Sequence, residues 1–253
     1  DPRFYDAAAP KNKKEKKDKP KLSVGDSFKL IFSSPYIGYI AILVLAYGVS
    51  INLIEVVWKD QLKQAFPNPN DYGAFMGKFS RATGIVTMLL IWFTKGIVRK
   101  FGWFTGAIVT PAVLIITGAL FFAFVLFKDE LTPLVAGMGL TATLMATYIG
   151  AIQNILSKGT KYSNFDPTKE MAYIPLDQEL KVKGKAAVDV IGGRLGKAGG
   201  GYVQQGLLIA TAGDIMTIAP YLAGVVGVVV GAWVIAVKGL SKRYNALVKK
   251  TAA

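Results

Sequence analysis

Apolar residues dominate six stretches of the chain, roughly 35–58, 79–98, 102–127, 133–156, 186–212 and 218–238, with polar connections between them. A helix rises about 1.5 Å per residue, so about 20 residues cross a hydrocarbon layer about 30 Å thick. The pattern predicts an all-α membrane protein with six transmembrane helices. The basic residues fall on alternate sides of these spans. Arg3, Lys11, Lys13, Lys14, Lys16, Lys17, Lys19, Lys21 and Lys29 precede the first span, and Lys95, Arg99 and Lys100 join the second to the third. Lys158, Lys161, Lys169, Lys181, Lys183 and Lys185 join the fourth to the fifth, and Lys238, Lys242, Arg243, Lys249 and Lys250 follow the last. The remaining connections are poor in basic charge. Basic loops stay in the cytoplasm, so both ends are expected there and the span count is even.

Three regions follow. Residues 1–30 form a Lys-rich cytoplasmic linker, 31–240 a six-helix bundle and 241–253 a cytoplasmic tail. A charged linker followed by six spans is the pattern of the second half of a larger transporter. Major-facilitator transporters are built from two such halves, which work as one twelve-helix assembly. The turn from Lys95 through Gly96, Arg99 and Lys100 to Gly102 is similar to that superfamily's signature loop. An ordinary positive-inside loop explains it equally well.

Composition changes this picture only at its edges. The chain is 52% hydrophobic with a net charge of +14, and the charge sits in connections. Orientation and attraction to anionic lipid explain it, and a nucleic-acid partner is not expected. The chain has no Cys and no His, which excludes thiolate metal sites, disulfides and imidazole chemistry. A Walker A loop fails on both sides of Gly196-Lys197, with Ile191 and Ala198 at the key positions. The Gly199–Gly201 run gives no dinucleotide fingerprint, since Gln204 takes the last glycine's place. No metal or cofactor is expected.

Polar residues within the spans carry the functional argument, because each is costly in lipid without a partner or a wet cavity. Asn52, Glu55 and Lys59 share one face of the first span. They either line a polar pathway or include a plain Glu55–Lys59 pair at the outer membrane edge. The fifth span holds Asp189, Arg194 and Lys197 among many glycines. Gly192, Gly196 and Gly200 repeat every four residues, a smooth ridge for close helix approach. Asp189 and Lys197 lie on a neighbouring face, which Gln204 continues. A cationic, glycine-rich helix points to an anionic substrate. Tyr148, Gln153 and Asn154 in the fourth span are candidates for contacts to a base or ribose, or for interhelical bonding. Trp58, Trp92, Trp103 and Trp233 lie near span ends, as interfacial anchors do. Asp166-Pro167 reads as an N-cap and first helical residue, with Pro175 ending a short gate helix soon after.

The segment KYSNFDPTKEMAYIPLDQELKVKGKAAVDVIGG (161–193), followed by LGKAGGGYVQQ, resembles the ATP/ADP translocases of obligate intracellular bacteria and of plastids. NLIEVVWKDQLKQAFPNPNDYGAFMG in the first span and YIGAIQNILSKGTKYS in the fourth are similar to the same family. The resemblance implies twelve spans, of which this chain holds the last six, and exchange of ATP for ADP without hydrolysis. It implies that Glu55 and Lys197 are transport charges. ATP and ADP are the expected substrates, phosphate a further candidate, and lipid and an amino-terminal six-span half the expected partners. The membrane implied is a bacterial inner membrane or a plastid inner envelope. A broader, proton-coupled nucleotide importer or another facilitator-type anion porter is the alternative. An aspartyl-type intramembrane enzyme is disfavoured, since Glu55 and Asp189 are better explained by pairing with Lys59 and Lys197.

Overall fold

In the computed structural model, polar side chains start most of the helices. The structure describes residues 23–94 and 96–252, and of Val24, Gly193, Arg194, Lys197, Thr251 and Ala252 it describes the backbone alone. Ser23 caps α1 (Val24–Ser33) through the Asp26 N–H. Ser34, with Pro35 at the first helical position, opens α2 (Pro35–Ala65). Such caps satisfy amide groups that have no partner within the helix. Next come α3 (Pro69–Thr94), α4 (Ile97–Leu126), the short α5 (Lys128–Ala136), and α6 (Ala142–Thr160), which Thr141 caps at Leu144. A π-helical turn (Lys161–Phe165) leads directly into α7 (Asp166–Ala172). Asp177 caps α8 (Gln178–Thr211), and Asp214 caps α9 (Ile215–Ala252) at Thr217. The Thr217 N–H and hydroxyl hold the Asp214 carboxyl below its usual range.

Four helices, α2, α3, α4 and α9, are long and apolar enough to cross a membrane. The described residues are overwhelmingly helical, so the chain is an all-α membrane protein. The helix α8 has the length as well, but Asp189, Arg194 and Lys197 interrupt its apolar course.

Helix bounds differ from the sequence expectation in ways that matter. The stretch 133–156 is not one continuous helix. Pro133 falls in the separate α5, and Gly139, at φ 70°, lies in the turn before α6. Beyond α6 the backbone stays helical through Thr160, Lys161, Phe165 and Asp166. Residues 142–172 therefore form one rod, roughly 45 Å long at about 1.5 Å per residue. Asp166 sits inside this rod and pairs with Lys161 at 2.6 Å instead of capping a new helix. The connection to the next helix shrinks to 173–177. The expected tail is likewise a continuation of α9, and the Lys-rich segment before Ser23 lies outside the described residues.

Among the described residues, five side-chain hydrogen bonds from neighbouring helices hold the rod, each to one of its backbone carbonyls; the longest runs from Thr94 Oγ1, on α3, to Ser163 O at 3.5 Å. The indole Nε1 of Trp58 donates to Thr147 O at 2.9 Å, and Tyr36 Oη to Ala172 O at 2.6 Å. Both donors lie on α2. From α4, Thr110 Oγ1 donates to Thr160 O at 3.1 Å and Trp103 Nε1 to Thr168 O at 2.9 Å. The order of contacts runs the rod antiparallel to α2 and α4 along their length. In lipid, helices gain little by hiding apolar surface from one another, so packing and such bonds carry association. Trp58, Trp103 and Trp233 are accordingly buried, not interfacial, whereas Trp92 is 70% exposed.

The helix α2 is the centre of the bundle and packs on α6, α8 and α9. Its junction with α8 is the expected glycine ridge. A β-carbon on Gly192 would meet Val44 Cγ1 at 2.2 Å, and one on Gly200 would meet Asn52 Oδ1 at 2.7 Å. Between them Gly196 lies against the backbone of Gly48. The last span's Gly224, Gly227 and Gly231 have open space where a β-carbon would stand.

At the start of α4, Gly96 (φ 99°) and Gly102 (φ 84°) bracket one helical turn, and Gly102 breaks α4 with ψ 169°. Only glycine takes such angles without strain. The turn's two sharp bends thus rest on its two glycines.

Candidate functional site

Side chains from α2 and α8 open a cavity of about 310 Å³, lined by Gly48, Ile51, Asn52, Glu55, Val56, Lys59 and Gln204. The helical period of α2 sets Asn52, Glu55 and Lys59 along one face, and the glycine ridge brings α8 close enough for Gln204 to complete the wall. Glu55 Oε1 lies 3.1 Å from Lys59 Nζ. The same oxygen lies 3.7 Å from Nζ of Lys158, on α6. One carboxylate thus serves two ammonium groups from two helices. Glu55 is half-buried, its side chain 27% exposed.

A second charged group adjoins it. Lys161 Nζ bonds Asp166 Oδ2 at 2.6 Å and stands over the rings of Tyr162, 4.3 Å from its centroid, and Tyr47, at 5.8 Å. Lys158 Nζ stands 5.2 Å from the Phe79 ring centre. Aromatic faces stabilise cations without consuming their hydrogen-bond donors. Sequence reasoning missed Lys158 and Lys161, because a lysine beyond an apolar run reads as a loop charge. The available signal was the helix-compatible course of residues 157–172.

The other expected site residues are spread out. Tyr148 is half-exposed and lines a separate cavity of about 480 Å³ between α3 and α6, beside Asp71 and Lys78. Gln153 and Asn154 are fully buried and donate within their own helix, to Ser157 Oγ and Gly150 O, both at 2.9 Å. Their amide oxygens have no hydrogen-bond partner. They act as internal polar fixtures of α6. Asp189 is exposed on α8. The side chains of Arg194 and Lys197 lie outside the described residues. The backbone places Lys197 seven positions before Gln204, two turns along the same face of α8.

No group of His, Cys, Asp or Glu among the described residues could hold a metal ion. The site offers amides, one carboxylate and several ammonium groups, a set suited to gripping an anion.

Comparison with known proteins points the same way. The family model for TLC ATP/ADP transporters matches residues 1–244. The chain is 53% identical over 247 residues to ADP,ATP carrier protein 1 of Chlamydia trachomatis, covering 97% of this chain and 46% of that protein. It is 50% identical over 238 residues to the chloroplastic ADP,ATP carrier protein 1 of Arabidopsis thaliana, covering 94% and 38% respectively. With ADP,ATP carrier protein 1 of Rickettsia conorii it shares 49% identity over 253 residues, covering 99% and 50%. No solved structure matches. The chain therefore spans about half the length of the curated relatives it matches, and it belongs to the TLC ATP/ADP transporter family, a family of transporters and not of enzymes.

Proposed function

We propose that this chain forms one half of a nucleotide exchanger that passes ATP one way and ADP the other by alternating access, without hydrolysis. The observation that carries the reading is the α2–α8 cavity, where Asn52, Glu55, Lys59 and Gln204 meet on helices that approach along a glycine ridge. A smooth ridge lets two helices rock while staying in contact. Lys197 on the same face of α8 supplies charge for the polyphosphate, with Arg194 and nearby backbone N–H groups as helpers. Glu55 neutralises lysines while the site is empty, and a bound nucleotide replaces that neutralisation. An empty cationic cavity is costly to carry through lipid, so exchange becomes obligatory.

A second six-span half supplies the opposite wall, and six spans of this chain face it with both ends in the cytoplasm. The exposed Asp189 and the open face of α8 suit that partner. Phosphate is a further candidate solute, and anionic lipid contacts the basic face. A bacterial inner membrane is the location the bacterial relatives favour.

The test is exchange by the complete transporter in proteoliposomes. Labelled ATP should enter only when ADP or ATP is trapped inside, and unlabelled GTP and CTP should compete poorly. Equal competition by CTP would replace adenine exchange with broader nucleotide uptake. Uptake into empty vesicles would remove obligatory exchange.

A further inference from the structure

We propose that Lys158 and Lys161 form an anion-binding pair within the membrane, a phosphate-gripping subsite on the fourth span facing the α2–α8 cavity. This deepens the nucleotide-exchange reading above and rests on it.

The rod is the first support. Tyr36 fixes its far end at Ala172, level with the start of α2, and Thr110, inside α4, fixes it at Thr160. Lys158 and Lys161 flank that inner bond. They stand roughly 21 and 16 Å along the rod from Ala172, at about 1.5 Å per residue. They therefore belong to the span's interior, where an ammonium group marks a functional site by default.

Charge balance is the second. Lys59, Lys158 and Lys161 face Glu55 and Asp166. Three cations meet two carboxylates, and Lys158 has the longer contact of the two that share Glu55. The group has a surplus positive charge that a phosphate would satisfy.

Access is the third. The side chains of Lys158 and Lys161 are 28% and 26% exposed, and Asp166 is 32% exposed. Here each carboxylate occupies a place that a phosphate oxygen can take. Residues three apart share one helix face, so both ammonium groups can reach neighbouring phosphates of one tail. The π turn begins at Lys161, and such single-turn departures from the α-helix recur at functional sites. Glu55, which Lys158 shares with Lys59 of the cavity wall, hands the tail from this subsite to that wall.

The experiment measures ATP and ADP binding by the complete transporter in detergent, with thermal stability of each variant alongside. Lys158→Gln and Lys161→Gln should each weaken binding by roughly ten- to a hundredfold, the range for one charge-assisted bond. Glu55→Gln frees Lys158 from its internal competitor, so it should tighten equilibrium binding while slowing exchange. Inorganic triphosphate should compete with ATP in the unmodified protein and lose that competition in the Lys158→Gln, Lys161→Gln double variant. Full affinity in both single variants at unchanged stability overturns the subsite and leaves the exchanger reading intact. Failure of the unmodified protein to bind adenine nucleotides overturns both. Lost stability with full affinity in the surviving fraction makes the pair structural, which also overturns the subsite.

Discussion

Gly48 and Gly196 meet backbone to backbone: a β-carbon on Gly48 would stand 3.0 Å from the α-carbon of Gly196. That backbone contact between α2 and α8 lies at the edge of the cavity that Asn52, Glu55 and Gln204 line. Separation of the helices at this point would open the cavity before any charged residue changed.

Gly48→Leu should therefore act as a wedge. Overpacking at a close contact costs about 1–3 kcal/mol, and nothing soft is available to give way, because the neighbour is backbone. Thermal unfolding in detergent should show the loss. Gly73→Ala, where a β-carbon meets open space, is the control and should be nearly neutral. Equal effects at both sites would show that the ridge does not set the helix spacing.

Two tyrosines give opposite expectations for the same change. Tyr36→Phe removes the bond to Ala172 O and should cost about 0.5–1.5 kcal/mol. The buried Tyr173 hydroxyl has no hydrogen-bond partner, and burial pushes its pKa up. Tyr173→Phe removes an unsatisfied polar group and should be neutral or stabilising. Paired melting curves decide, and a large loss at Tyr173 would reveal a partner there.

Gly102→Ala isolates backbone strain, since a β-carbon at Gly102 has free space but φ is 84°. An alanine there should cost about 1–2 kcal/mol. Far smaller loss in a melting experiment would show that the bend relaxes.

The rod makes a topological prediction. The chain has no native Cys, so single cysteines report cleanly. Cysteines at the exposed Asn68 and Asp129 should react from one side of the membrane, and those at Ile174 and Asn245 from the other. Gly159 is buried against Leu90, and a cysteine there should resist labelling from both sides. Ready labelling of position 159 would return it to a loop.

Much of this was legible in the residues. Glycines at four-residue spacing announced the α2–α8 contact, and a 3.6-residue period announced that Asn52, Glu55 and Lys59 share a wall. The helical course of 142–172 was not legible because hydropathy falls when lysines and asparagine enter a helix, whether or not the helix ends. Lys158 and Lys161 lowered the local average, so the apparent span slid back to include Pro133 and the α5 segment. Nothing in the one-dimensional pattern reveals that Thr110 and Trp103 hold the polar portion in place. The buried indoles were misread for a related reason: a tryptophan near a span end looks the same in sequence as one bonding a neighbouring carbonyl, as Trp58 and Trp103 do, or one packed inside the bundle, as Trp233 is.

The clamp on the rod has a consequence for how such a protein can change over generations. All five acceptors are main-chain carbonyls of residues 147, 160, 163, 168 and 172, and every residue type supplies one. The hydrogen-bonding requirement therefore falls on the donors Tyr36, Trp58, Thr94, Trp103 and Thr110. The side chains at 158 and 161 make none of these five bonds, so both positions can change without breaking them. Substrate preference can be rewritten there without re-inventing the architecture that holds it.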